Sequence, residues 1–169
     1  MILKAGLSLI ILMLTALGSY AQDPVAYKIT ISNNTFVYSG NTIKIFSGQR
    51  ISVSAVNNNG KLENISLLDT GRTKIESANI INVLLQQNAE KNICIDFNIV
   101  RQEDGKPNTF LIVNNPFKKA LAYKAKIFSK QINDYEETSI WDVEPGISGV
   151  EHWPYAISDI ILYEFVIKK

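Results

Sequence analysis

Between Ala120 and Phe128 the chain alternates apolar and charged side chains. Leu121, Tyr123, Ala125 and Ile127 fall on one face of an extended backbone, Lys124 and Lys126 on the other. A period of two suits a strand with one face buried and one in water. Just upstream, Phe110–Val113 is a second apolar run, and Asn114-Asn115-Pro116 separates the two. Proline cannot donate to a strand ladder and restricts the residue before it, so pairing must break there. Thr109–Ser129 therefore reads as two strands joined by a bend, the centre of an antiparallel arrangement.

The same rhythm runs through most of the chain. Val25–Ile31 alternates cleanly and predicts a strand, followed by a turn at Ser32-Asn33-Asn34-Thr35 and the short run Phe36–Tyr38. Ser39-Gly40-Asn41 turns into Thr42–Phe46, and Ser47-Gly48-Gln49 leads to Arg50–Val56. Asn57-Asn58-Asn59-Gly60 is a strong turn signal, because Asn and Gly tolerate positive φ. Lys61–Leu68 predicts a weaker strand, Asp69-Thr70-Gly71 a turn, and Thr73–Glu76 a strand pairing back. Ser77–Asn88 fits a short amphipathic helix or a buried strand, and its strand neighbours favour strand.

Asn92–Val100 is a further strand, with Ile93, Ile95, Phe97 and Ile99 on one face and Cys94, Asp96 and Asn98 on the other. Arg101–Asn108 is its hairpin loop, tipped by Asp104-Gly105. Gln131–Thr138 is polar and acidic and reads as loop. Ser139–Glu144 looks extended, Pro145-Gly146 turns, and Ile147–Tyr155 reads as irregular. The last strand, Ile157–Ile167, is apolar on both faces, with Ile161, Tyr163, Phe165 and Ile167 on one side and Ile160, Leu162 and Val166 on the other. Such a strand belongs in a sheet interior or pairs with something.

Short β-rich runs broken by Gly and Asn clusters predict an all-β chain, a single antiparallel β-sandwich. The run FLIVNNPFKKALAYKAKIF resembles the strand–Asn-Pro–strand passages of exported bacterial immunoglobulin-like domains. That resemblance implies an immunoglobulin-like sandwich and carries no functional residues with it. The Cys…Trp…Cys spacing of antibody domains is absent.

Residues 1–21 match a secretory signal peptide. Lys4 charges the n-region, Ala5–Leu17 is apolar, and Ser19-Tyr20-Ala21 sets up cleavage before Gln22. The apolar run is short for a membrane span, which takes ~20 residues. Cleavage leaves residues 22–169 as one domain with 16 basic and 16 acidic side chains. That balance offers no electrostatic footprint for nucleic acid or anionic lipid. The expected location is periplasmic or extracellular, with no membrane insertion after cleavage. The single Cys94 allows no internal disulfide and reads as a small, half-covered side chain.

Chemistry is sparsely marked. His152, the one histidine, cannot build a His-rich metal site, and no Gly-x-Ser-x-Gly elbow or Gly-rich phosphate loop is present. Asp134, Glu136, Glu137, Asp142 and Glu144 gather carboxylates without the spacing of a calcium loop. Asn33-Asn34-Thr35 and Asn64-Ile65-Ser66 match the N-glycosylation pattern. Trp141, His152, Trp153 and Tyr155 are the candidate ligand-binding residues, since exposed aromatics stack on sugars or bury in a partner.

The expectation is a non-catalytic exported binding or scaffolding domain without cofactor or metal. Its partner would be a protein, a cell-surface polymer or a second copy of itself. Two alternatives are a structural subunit assembling by β-strand addition through the apolar last strand, and a polysaccharide or peptide hydrolase using Glu151 or His152.

Overall fold

A computed structural model of the chain describes residues 36–38, 41–72 and 91–169. The expected signal peptide, the strand Val25–Ile31, the Asn33 sequon and the segments Thr73–Glu76 and Ser77–Asn88 lie outside those residues. The described residues contain ten strands and no helix: β1 (Phe36–Tyr38), β2 (Thr42–Phe46), β3 (Gln49–Asn58), β4 (Lys61–Arg72), β5 (Ile93–Arg101), β6 (Pro107–Asn114), β7 (Leu121–Ser129), β8 (Asp134–Thr138), β9 (Ser148–Trp153) and β10 (Asp159–Ile167).

All pairings are antiparallel, and the strands join into one curled sheet, a half-barrel. The last strand sits at its centre. β7 lies along one edge of β10; β2 takes the first half of the other edge, and Lys61 of β4 pairs with Val166 near its end. From β4 the sheet continues through β3, β5 and β6 to β9, and beyond β7 it ends at β8. The two terminal strands approach each other across the core, where the Trp153 indole N–H of β9 donates to Thr138 Oγ1 of β8 at 3.2 Å.

The inward stripes that the alternation predicts make the core. Ile43 and Ile45, Ile51 and Val53, Ile93, Ile95 and Phe97, Leu111 and Val113, and Leu121, Tyr123, Ala125 and Ile127 all belong to one buried cluster. Burial of such side chains contributes about 1.5–3 kcal/mol each before conformational entropy opposes it. Asn59-Gly60 closes the β3–β4 hairpin with both residues at positive φ. Gly60 has no room for a Cβ, which would sit 2.9 Å from the Ile167 carbonyl.

Several local expectations give way to tertiary pairing. β4 runs straight through Asp69-Thr70-Gly71 because these residues pair with Ser52, Ile51 and Arg50 of β3. The polar stretch 131–138 contains β8, and the stretch expected to be irregular contains β9. Both are terminal strands that bury little, so their composition does not announce them. Within 139–144, Val143 forms a lone bridge to Leu121. Cys94, expected half-covered, is buried, and its backbone N–H donates to Asn114 Oδ1.

The last strand does not keep one parity. Ile160 and Leu162 face inward, then Phe165 and Ile167 do. Glu164 adopts φ 52° and the register with β7 shifts between Tyr163 and Val166. A bulge inserts one extra residue and exchanges the two faces beyond it. The two-sided apolar composition of β10 thus arises from one inward face that changes parity midway.

Candidate binding surface

Where the curled sheet ends, the chain between β8 and β9 spans the gap. Its fixed points come from the Asn-Asn-Pro bend. The buried Asn115 side-chain amide donates to the carbonyls of Lys119, Val143 and Glu144 at 2.9, 2.8 and 3.2 Å. Its Oδ1 accepts from Phe117 N–H, its own N–H donates to Ile147 O, and its carbonyl accepts from Gly146 N–H. Asn114 does the corresponding work on β5, where its amide reaches Asn92 O at 3.0 Å. Val143 packs so closely on Gly149 of β9 that a Cβ there would lie 2.6 Å from its Cγ2.

On this frame the four candidate residues part company. β9 is a strand, so neighbours face opposite ways. Trp153 points inward, 8% exposed, and belongs to the core cluster. His152 points outward, stacked on Phe110 with centroids 4.8 Å apart, and its Nε2 lies 2.9 Å from Asn108 Oδ1. Trp141 stands 82% exposed in the connecting segment, and Tyr155 is 48% exposed just past β9. The Thr109 hydroxyl fixes the backbone there, donating to Tyr155 O at 2.6 Å and accepting Ile157 N–H at 2.9 Å.

Two further apolar residues that sequence reasoning passed over are exposed: Ile147 is 48% and Val150 41% exposed. Val150 lies on the outward face of β9 with His152, and Ile147 immediately precedes the strand. Their signal was present in the alternation Val150–His152 against Gly149–Glu151–Trp153, which is legible once 148–153 is taken as a strand.

Glu151 and His152, the hydrolase candidates, lie on opposite faces of β9 and so do not share a site. Glu151 sits at the rim of the core, where burial raises its carboxyl above the usual range and the Trp141 backbone N–H, donating at 2.8 Å, partly offsets that. Of the gathered carboxylates, Asp142 pairs with Lys168, Glu137 accepts from the Tyr163 hydroxyl, and Asp134 accepts from Tyr135 N–H. Among the described residues no three His, Cys, Asp or Glu side chains come together as a metal site.

The other face of the sheet carries a polar network that the sequence did not single out. Lys44 pairs with Asp159 at 3.2 Å and lies over the rings of Phe46 and Tyr135, while the Tyr135 hydroxyl and Ser158 Oγ donate to the same carboxylate. Burial opposes the Lys44 charge, yet the hydrogen bonds to Tyr135 and Asp159 and the attraction of Asp159 outweigh it and raise its pKa. Each member has a partner within the chain, as a cross-strand structural lock requires. Compared with known proteins, the chain matches no family model, no curated protein and no solved structure.

Proposed function

We propose that this is an exported, non-catalytic binding or scaffolding domain, a relative of the immunoglobulin-like sandwich in architecture, that holds a protein partner on its β8–β9 side. The observation that carries the reading is Trp141. A tryptophan 82% exposed, on a backbone pinned at Val143 by Asn115 and at its own N–H by Glu151, offers a large rigid area at low entropic cost. Ile147, Val150 and Tyr155 add exposed apolar area on β9 and the residues that flank it.

Assembly by strand addition through β10, the alternative read from sequence, loses its motive, because β10 is paired along both edges. The experiment places a photo-crosslinking residue at position 141 in the cell that makes the protein. Capture of one defined partner, abolished by Val150→Asp, is expected. Equal capture from an exposed site on β4 such as Asp69, with β3, β5 and β6 between it and β9, would overturn the reading. The intact mass of the mature protein checks export separately, with Gln22 expected as its first residue.

A further inference from the structure

We infer that the outer face of β5 and β6 is the docking site of the chain's own residues 73–90, the segment that joins β4 to β5. The occupant of that face is this connecting segment and not a second molecule.

Topology requires a crossing. β3 pairs antiparallel with β4 and with β5, so β4 and β5 run parallel on its two sides. Arg72 ends β4 beside Gln49, and Ile93 opens β5 beside Val53. Parallel strands with a third between them cannot be joined by a tight turn, so the connection passes over one face of the sheet. The core face is taken: Ile51 and Val53 of β3 and Ile93, Ile95 and Phe97 of β5 belong to the buried cluster. The outer face remains.

Burial on the outer face points the same way. Cys94, Asp96 and Asn98 alternate with the core residues of β5, yet they are 1%, 0% and 4% exposed. Ile112 of β6, opposite Asp96, is 0% exposed. None of these four belongs to the core cluster. A side chain that stands off an open sheet keeps its tip in water, so such burial takes a second layer. Beside them in the sheet lie only β3 and β9, which cannot supply one. Further along the same face, Val150 of β9 is 41% exposed, so the cover stops near β6.

The connecting segment suits the place. It returns to the sheet at Asn92, whose carbonyl accepts from the Asn114 side-chain amide at 3.0 Å, and Asn114 shares the outer face of β6 with Ile112. Its composition matches what it covers. Ser77 to Ala89 carries no charge, and Ile80, Ile81, Val83, Leu84 and Leu85 stand among side-chain amides. The aliphatic residues fit Ile112 and Cys94, and the amides offer hydrogen bonds to a face that buries Asp96 and Asn98.

The test reads the Cys94 thiol in the full chain, which should resist a thiol reagent while the protein is folded. Ile81→Asp, Leu84→Asp and Leu85→Asp are made singly. At least one should speed labelling about tenfold or more, because exclusion of solvent is what keeps a buried thiol inert, while cooperative unfolding persists. Val56→Asp, at an exposed position on β3, should leave the rate unchanged. A photo-crosslinking residue at each of the same three positions keeps an apolar side chain there. From at least one of them it should join, within one chain, to peptides from 94–100 or 107–114. Labelling indifferent to all three variants, or crosslinks that run to β7, β8 or β10 or to a second molecule, would overturn the inference. Where an Asp variant does not fold, the crosslink decides. None of these readouts involves Trp141, so failure of the binding surface proposed above would leave them unchanged.

Discussion

The side-chain amide of Asn115 donates to the carbonyl of Val143 at 2.8 Å, joining positions 28 residues apart. Val143 in turn exchanges both backbone hydrogen bonds with Leu121, at 2.9 and 2.8 Å. One buried asparagine thereby ties the bend between β6 and β7 to the segment that carries Trp141. The exposed aromatic and the buried amide are parts of one construction: the first can stay rigid in solvent because the second holds the backbone two residues away.

Asn115→Ala should cost about 3 kcal/mol in denaturant unfolding, since buried carbonyls and the Phe117 N–H lose their partner. Asn115→Asp should be worse at neutral pH, because a carboxylate would face carbonyls of Lys119, Val143 and Glu144, and it should recover partly in acid as that carboxyl protonates. Equal stability of the two variants across pH would contradict the assignment of the amide as donor.

Glu164 holds the face change of β10 at φ 52°. Glu164→Gly should leave stability unchanged or raise it, because relief of the left-handed strain, about 1 kcal/mol, outweighs a solvent-exposed ion pair with Lys124 that adds little. Deletion of Glu164 should abolish cooperative unfolding, since Phe165 and Ile167 would turn outward. Thermal melts of the two variants separate the role of the extra residue from that of its side chain.

Gly149→Ala should destabilise by about 1–3 kcal/mol through overpacking against Val143. Val143→Ala opens the space that the new methyl needs, so the double variant should be more stable than the sum of the single losses implies. A double-mutant cycle measures that coupling; strict additivity would show that the two residues do not press on each other.

Glu151 gives a pH dependence of known sign. Burial raises its pKa in the folded protein, so the folded state holds its proton to higher pH than the unfolded state does. Its contribution to stability is therefore greatest in acid and falls as pH rises through the ordinary carboxylate range towards the raised value. Glu151→Gln keeps an oxygen for the Trp141 N–H and removes the titration. The variant should gain on the natural protein in melting temperature between acid and neutral pH, and a constant difference would contradict the burial.

Much of the sheet was legible. The runs at Thr42–Phe46, Asn92–Val100, Phe110–Val113 and Ala120–Phe128 all fall on strands of the structure, because each buries one face and repeats every second residue. β8 and β9 were not legible, since a terminal strand with few buried positions leaves almost no alternation to read. That single loss hid the burial of Trp153. With 148–153 read as irregular, Trp153 seemed a companion of His152 and Tyr155, whereas strand parity sends it into the core and leaves Trp141 as the exposed aromatic.

The sequence by itself determined the class of the protein: period-two apolar stripes and Asn/Gly turns are local signals, set by the geometry of an extended backbone and by which residues tolerate positive φ. Only the tertiary structure decided the face change at Glu164, the burial of Trp153 and the exposure of Trp141. Each depends on which strand lies beside which, and pairing between distant segments is fixed by the fit of the whole sheet around its core rather than by any neighbour in the chain.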